Sequence, residues 1–166
     1  MKTRLAIVSI VLGLVCAACH RNASQPPTEM GAHAVQWLTD FSTAQAQARA
    51  QDKPLLINFT GSDWCPPCIM LHRQVFSQPA FAEYAAKHLI LLEVDFPHGK
   101  IQSEAQKVAN EKLADRFGID GFPTIVLLDS TGKKLGELGY QPGGPKPFIT
   151  AIEKLRGADA TSTPPG

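Results

Sequence analysis

Two cysteines three positions apart, Cys65 and Cys68, are the residues of this chain best suited to chemistry. A Cys-x-x-Cys pair can interconvert between two thiols and one disulfide bond, so it can exchange electrons with a disulfide elsewhere. Pro66 and Pro67 stand between them and suit the first turn of a helix, which does not need their missing N–H groups. We therefore predict that Cys65 caps a helix and attacks as a thiolate, and that Cys68 is the resolving thiol.

The residues before this motif predict the element that positions it. Leu55 to Phe59 form an apolar run with the length and composition of a buried strand, and the polar residues 60–63 end it. The cysteine pair thus lies where a strand ends and a helix begins. The unpaired N–H groups and the positive dipole end of that helix favour a thiolate over a thiol at Cys65.

The segment Trp64–Cys68, read as Trp-Cys-Pro-Pro-Cys, and the Gly-Phe-Pro-Thr segment at 121–124 together resemble the thioredoxin superfamily. The nearest likeness is to the thioredoxin-like domains of bacterial periplasmic thiol:disulfide interchange proteins. The resemblance extends from about Trp37 to Arg156. It implies an α/β thioredoxin fold, in which helices flank a central mixed β-sheet.

The same resemblance implies four substrate-binding residues. Pro123 would follow a cis peptide bond and face the disulfide, and the backbone around Phe122 would pair with a substrate strand. Trp64 would shield the sulfurs and touch substrate, and Gly139 would leave room beside the disulfide. The alternatives are a packing role for Trp64, an ordinary turn at Pro123 and a neutral bend at Gly139.

The proton path to the resolving cysteine departs from the superfamily pattern. In thioredoxins a buried acid near the end of the central strand assists proton transfer, but Asn58 holds that position here and the loop to Cys65 is one residue longer. His72, four residues after Cys68, is expected on the same helix face and is a candidate for tuning the thiol, or else a solvated histidine. Glu93, His72 and water all remain candidates for the relay.

The direction of electron flow follows from Pro66 and Pro67. Both lack the backbone N–H that would stabilise a thiolate at Cys65, which leaves chiefly the N–H of Cys68. Strong oxidants of the superfamily have a stabilised reduced form, so this pair is expected to be reducing. We predict a thiol:disulfide oxidoreductase without a cofactor, which takes electrons from a membrane thiol reductant and reduces disulfides of client proteins.

Two other classes of function remain open. A copper carrier would use Cys65, Cys68 and His72 as ligands, although related carriers space their cysteines one residue further apart and three ligands do not close a zinc site. A redox-inert interaction module would leave the cysteines without a role. Metal in the purified protein would favour the first, and full activity of a Cys65→Ser variant would favour the second.

The first residues have the layout of an export signal. Lys2 and Arg4 precede an apolar stretch at 5–15 and small residues, in a segment too short to indicate a membrane span. Cleavage by ordinary signal peptidase and lipoprotein processing are both compatible with this layout. We favour processing as a lipoprotein with the lipid on Cys19, although Cys16 stands where lipoprotein signals usually carry an aliphatic residue.

Cysteine usage also bears on a haem-binding alternative. Cys16 to His20 match the Cys-x-x-Cys-His pattern of haem attachment, but they lie at the edge of a segment that is expected to be removed. Of the four cysteines, two belong to this processing region. Cys65 and Cys68 therefore have no further cysteine in the mature domain with which to form a structural framework, which favours a redox role.

The chain of 166 residues accommodates one ordinary domain. We divide it into an export signal at 1–18, a flexible tether at 19–33, a thioredoxin-like domain at 34–156 and a disordered tail at 157–166. The formal net charge of +1 gives no indication of nucleic-acid binding. The expected product is a periplasmic monomer, anchored to a bacterial membrane by its lipid.

Periodicity and turn residues predict the elements of the domain. The predicted strands are 35–38, 55–59, 89–95, 124–128 and 134–140. The predicted helices are 43–51, the active-site helix up to 76, 80–87, one behind residue 103, and 147–156. Ser103 and Gln106 predict a capping box, and Gly118 predicts a helix end.

Overall fold

A four-stranded mixed sheet in the order β2-β1-β3-β4 is the centre of the computed structural model, which describes residues 35–160. The strands are β1 Leu55–Thr60, β2 Ile90–Asp95, β3 Thr124–Leu128 and β4 Lys134–Leu138. β1 pairs with β2 in parallel, whereas β1 with β3 and β3 with β4 are antiparallel. The predicted mixed sheet is therefore confirmed.

Five α-helices surround this sheet in the described part of the chain. They are α1 Phe41–Gln51, α2 Pro66–Leu71, α3 Pro79–His88, α4 Glu104–Phe117 and α5 Pro145–Ala160. A π-helical segment, His72–Phe76, continues α2, where the sequence indicated one uninterrupted helix. The predicted export signal, the lipidated Cys19 and the haem-like pattern lie outside the described residues.

The two faces of the sheet carry two separate apolar clusters. One contains Leu56, Leu91 and Leu127 and packs against residues of the π-helical segment, α3 and α5, among them Phe76, Phe81 and Phe148. The other contains Ile57, Leu92 and Val126 and packs against residues of α1 and α4, among them Ala44 and Leu113. Because β1 is covered on both faces, it reads in the sequence as a continuous apolar run.

The first predicted strand, 35–38, is wrong as an element. Only Leu38 pairs with the sheet, opposite Leu92 at the edge of β2, through its N–H to Leu91 O (2.9 Å) and its C=O to Glu93 N (2.8 Å). Two residues later, the Asp40 side chain accepts from the Thr43 N–H and starts α1. The chain therefore turns away before a second pair can form.

Helix α5 begins two residues before the predicted helix and continues to Ala160, four residues into the segment predicted to be disordered. The sequence has no proline between Pro147 and Pro164 that would end the helix earlier. No helix within residues 35–160 is long and apolar enough to cross a membrane.

The ends of α4 confirm one half of the predicted capping box. Ser103 Oγ accepts from the Gln106 N–H at 3.2 Å, and Gly118 ends the helix with φ +67°. The Gln106 side chain, however, does not return to Ser103. Its amide donates to Thr39 O at 3.2 Å and to Asn110 Oδ1 at 2.7 Å, because the N-terminal segment and the buried Asn110 lie within its reach.

Candidate redox site

Cys65 and Cys68 form a disulfide bond at the start of α2, with their Cα atoms 5.2 Å apart. Cys65 is the N-cap, with an extended backbone, and the Cys68 N–H points at its Sγ at 3.3 Å. Pro66 and Pro67 fill the first two helical positions. The predicted strand-to-helix placement and the cap are confirmed, and both sulfur-bearing residues are almost entirely buried.

The loop before Cys65 turns tightly at Gly61. Gly61 O accepts from the N–H groups of both Trp64 (3.3 Å) and Cys65 (2.9 Å). A Cβ atom at Gly61 would lie 2.5 Å from Cε2 of the Trp64 indole, so the ring rests directly on the glycine backbone. Glycine is therefore required for this close approach.

Trp64 is 40% exposed and lies beside the disulfide in an aromatic group. Its Nε1 donates to Phe96 O at 2.7 Å, and its ring stacks on His98 with centroids 4.4 Å apart. Phe122 packs edge-on against it at 6.0 Å. Trp64, Cys65 and Phe122 line a cleft of about 340 Å³, named here the Trp64 cleft. Its position suits the predicted contact with substrate, which stays a prediction.

Asp63 connects this loop to the loop that follows β2. Its carboxylate accepts from the backbone N–H groups of His98 (3.0 Å) and Gly99 (2.7 Å). The hydrogen bond from His98, followed by that from Gly99, lowers the pKa of Asp63. The sequence analysis assigned no role to Asp63 or His98, because nothing local in the sequence indicates a contact between residues so far apart in the chain.

The Phe122–Pro123 peptide bond is cis, as the resemblance implied. Phe122 stacks on Phe96 with centroids 5.0 Å apart. The pairing of Ile125 with Leu138 places Gly139 one residue beyond β4, level with the start of β3. Apart from its two chain neighbours, no atom among residues 35–160 lies within 4 Å of the place where a Gly139 side chain would begin. The open space agrees with the predicted role of this glycine, which no contact here tests.

The three residues considered for the proton path to Cys68, namely Asn58, His72 and Glu93, line one cleft together with Cys68. This Cys68 cleft, of about 250 Å³, is lined by residues that include Asn58, Cys68, His72, Glu93 and Lys100. Asn58 is buried, and its Oδ1 has no hydrogen-bond partner among the described residues. His72 is exposed, with Nδ1 3.1 Å from Ser77 Oγ.

The electrostatics of the Cys68 cleft single out Glu93. Burial, and then the neighbouring charge of Asp95, raise the pKa of Glu93, while Lys100 and His72 act in the opposite direction. A carboxyl whose pKa is raised in a cleft beside a reactive group is a candidate for proton transfer.

Asp95 is held differently, in a network that the sequence analysis missed. Its two carboxylate oxygens accept from the Ser62 N–H at 2.9 Å and the Ser62 Oγ at 2.5 Å. Lys100 Nζ donates to Ser62 Oγ at 2.6 Å and lies 3.7 Å from the Asp95 carboxylate. The network joins the loop before Cys65 to the end of β2.

Within residues 35–160, no group of three or more His, Cys, Asp and Glu side chains is arranged to hold a metal ion. The Cys65, Cys68 and His72 set of the copper-carrier alternative therefore receives no support from this geometry. The arrangement that the described residues do form is a helix-capping disulfide with two clefts beside it.

A disulfide at a helix N-terminus, which shares a cleft with the loop before the cis Pro123 and lies on a mixed sheet between helices, defines a site for thiol–disulfide exchange. A family model described as "Thioredoxin-like domain" matches residues 41–155, and the chain belongs to that family.

One relative and two solved structures illustrate the similarity. "Disulfide bond reductase DsbH" of Chlamydia pneumoniae is 34% identical over 89% of this chain and 92% of its own length. A solved structure, "DsbH Oxidoreductase", has 32% identity and a TM-score of 0.71, covering 80% of this chain and 91% of its own. The oxidised DsbD C-terminal domain of Neisseria meningitidis shares the fold, with a TM-score of 0.54 and 20% identity over 73% of this chain and all of that domain. The chain is therefore a thiol:disulfide oxidoreductase.

Proposed function

We propose that this protein is an extracytoplasmic reductant of disulfide bonds in client proteins. Cys65 attacks the client disulfide, a mixed disulfide forms, and Cys68 resolves it, so that the client leaves with two thiols and the Cys65–Cys68 disulfide remains. A membrane thiol reductant would return the pair to the dithiol. Electrons would thus flow from the membrane to the client protein, outside the cytoplasm.

The proposed direction of electron flow rests on the small number of N–H groups that donate to Cys65 Sγ. The Cys68 N–H is the donor to Cys65 Sγ among the described residues, at 3.3 Å, and the two prolines before it have none to add. Because few N–H donors are present, a thiolate at Cys65 is stabilised only weakly. The dithiol form is therefore less stable and gives up its electrons readily. The name of the 34% identical relative, a disulfide bond reductase, supports the same direction.

A redox titration tests the direction. After equilibration with defined ratios of reduced and oxidised glutathione or dithiothreitol, the dithiol fraction of the purified domain is counted by alkylation and mass spectrometry. We expect a reduction potential of roughly −270 mV, as in thioredoxin, rather than roughly −120 mV as in DsbA. A value near the DsbA end would reverse the proposed direction and leave the site itself intact.

The client is found by trapping. A Cys68→Ser variant retains the attacking sulfur but cannot resolve the mixed disulfide, so Cys65 should stay joined to its natural partner. Mass spectrometry of complexes that dithiothreitol releases would identify that partner. A Cys65→Ser variant is the matched control, because it keeps one sulfur but removes the attacking one, and it should yield few such complexes.

The compartment and the anchor are tested together. We propose that residues 1–18 direct export and that Cys19 carries the lipid, which tethers the domain to a membrane facing the periplasm. Cys19→Ser should move the protein from the membrane fraction to the soluble periplasmic fraction without changing the redox activity of the domain. An unchanged distribution would contradict the lipid anchor, and a cytoplasmic location would contradict export.

A further inference from the structure

Strand register places an acid and an unpaired amide together below the resolving cysteine. In the parallel pair β1–β2, Asn58 lies opposite Glu93, two residues along the strands from the pair Leu56 and Leu91. Since alternate residues share a face, Asn58 and Glu93 point to the side on which Leu56 and Leu91 pack against Leu71 of α2. Both side chains accordingly line the Cys68 cleft.

We propose that Glu93 is the proton acceptor for the Cys68 thiol when Cys68 resolves the mixed disulfide at Cys65. The proposal rests on thiol–disulfide exchange and not on the direction of electron flow in the cell. The proton passes directly or through a water molecule, for which a cleft of about 250 Å³ has ample room.

The step balances as follows. Attack by the Cys65 thiolate on a substrate disulfide forms the mixed disulfide and releases one substrate thiolate. The Cys68 thiol gives its proton to the Glu93 carboxylate, and the Cys68 thiolate then attacks the Cys65 sulfur. The Cys65–Cys68 bond forms while the mixed disulfide breaks, and the second substrate sulfur leaves with the electron pair and takes a proton from solvent. The dithiol loses two electrons, and the substrate disulfide gains them.

Several features of the surroundings select Glu93 over its neighbours. The carboxylate oxygens of Asp95 already accept from Ser62, and Lys100 is directed to the same serine. His72 is exposed and in contact with Ser77. Burial raises the pKa of Glu93, so its carboxyl holds a proton more readily than an ordinary glutamate does.

Glu93 also has an exit for the proton. It lines a second cleft, of about 290 Å³, on the side of Thr39 and Gln106, as well as the Cys68 cleft. A proton taken from Cys68 can therefore leave toward solvent without passing the substrate. The charged groups around the path are Asp95 on the same strand, His72 and Arg73 on the π-helical segment, and Lys100 on the following loop.

The unsatisfied Oδ1 of Asn58 fits this arrangement. A buried amide oxygen without a donor is unfavourable, and the O–H of a protonated Glu93 or a water molecule in the cleft would supply one. Asn58 is a positioning residue in this scheme, since it favours the protonated form of Glu93 and does not itself exchange a proton.

The test separates the two exchange steps. The reduced protein is mixed with excess bis(2-hydroxyethyl) disulfide, quenched with acid at successive times and analysed by mass spectrometry, which distinguishes dithiol, mixed disulfide and internal disulfide. In Glu93→Gln the first step should keep its rate within twofold, while resolution should slow at least tenfold near pH 7, a threshold set below the roughly 100-fold or more that a general base typically contributes. The mixed disulfide should then accumulate.

The pH profile gives a readout that a merely structural role would not change. Wild-type resolution should level off above the pKa of Glu93, whereas Glu93→Gln should speed up about tenfold per pH unit, because hydroxide then supplies the base. Glu104→Gln is the matched control, since Glu104 is an exposed glutamate at the start of α4, and it should follow the wild-type profile. If Glu93→Gln resolved the mixed disulfide at the wild-type rate at every pH measured, the proposal would be overturned.

A second variant returns a carboxyl to the same cleft from the neighbouring strand. Asn58→Asp in the Glu93→Gln background should restore at least part of the lost rate near pH 7. A folded double variant without any recovery would show that the shape of Glu93 matters and not its proton, and would also overturn the proposal. If that variant does not fold, the pH profile of the single variant decides.

Discussion

At the scale of single residues, the environment of the disulfide depends on contacts between two loops. Gly61 leaves room for the Trp64 ring, and Trp64 in turn touches the loop after β2 through Phe96 O and the His98 ring. The Asp63 carboxylate holds the same loop by two backbone N–H groups. One wall of the Trp64 cleft is therefore held in place by residues that take no part in the exchange of disulfide bonds.

Substitution of Gly61 by alanine tests this arrangement. The added Cβ would lie 2.5 Å from the indole, so Trp64 must move off His98 and Phe122. We expect a loss of about 1–3 kcal/mol in the free energy of unfolding, which is typical of an overpacked site, and a changed tryptophan fluorescence. Gly157→Ala is the control, because the space around that glycine is open. An unchanged unfolding curve for Gly61→Ala would contradict the close contact.

Glu93 gives a pH-dependent prediction for stability. Its pKa is raised in the folded protein above the ordinary value of 4.5, so folding favours the neutral form. The contribution of Glu93 to wild-type stability should therefore decrease as pH rises from about 4.5 through the raised pKa, because the unfolded chain loses this proton first. Glu93→Gln should be more stable than wild type at pH 7 and similar to it below pH 4.5, as measured by urea unfolding. A less stable variant at pH 7 would contradict the direction of the shift.

The sequence predicts residues of this site only where chemistry is local. Cys65 and Cys68 follow from their spacing, and Pro123 from the resemblance. Asp63 and His98 could not be predicted, because their contacts arise only when two distant loops fold against each other. The role of Glu93 was left open among several groups, since only the register of β1 with β2 shows which side chain faces the cleft.

At the scale of elements, the first turn of α2 sets the donors available to Cys65. An N-cap side chain accepts from the N–H of the second or third helical residue. Pro67 occupies the second position and has no N–H, so Cys68 at the third donates alone. The sequence of one helical turn thereby limits how far a thiolate at Cys65 is stabilised.

Restoring the missing donor should make the protein more oxidising. Pro67→Ala adds an N–H directed at Cys65, which should lower the pKa of the Cys65 thiol and raise the reduction potential by roughly 30 mV, equivalent to about 1.4 kcal/mol. Alkylation rates across pH and a glutathione titration measure the two effects. Pro79→Ala is the control, because Pro79 starts α3 away from the cysteines and should leave both values unchanged. A lower potential in Pro67→Ala would contradict the argument from donors.

The elements themselves were predictable where burial leaves a continuous pattern. Strand β1 is covered on both faces and appears as an apolar run, and α4 ends at Gly118 as predicted. The segment 35–38 also has strand-forming residues, but only tertiary packing decides that a single residue of it pairs. The π-helical segment left no sequence signal, because it replaces α-helix without a proline or glycine to indicate the change.

At the scale of the whole molecule, sheet topology is what joins the separate parts of the site. The central β1 leads into the cysteine helix, β2 supplies Glu93 and Asp95 on one side, and β3 follows the cis Pro123 on the other. The order of elements was predictable from turns and periodicity, apart from the first strand. The two clefts were not, because each is formed by side chains from elements that are distant in the chain.

The stability of the whole fold is linked to the direction of electron flow by a thermodynamic cycle. If the folded protein is a reductant, the fold must favour the Cys65–Cys68 disulfide over the dithiol more strongly than the unfolded chain does, so the oxidised protein must be the more stable one. The opposite order holds for an oxidant whose reduced form is stabilised. For a loop closed by cysteines three positions apart, chain entropy predicts a difference of about 2 kcal/mol in favour of the oxidised protein.

Urea unfolding with and without dithiothreitol measures this difference in the free energy of unfolding. A Cys65→Ser, Cys68→Ser double variant should match the reduced protein under both conditions. A reduced protein more stable than the oxidised one would contradict the proposed reductant even if the exchange chemistry were intact.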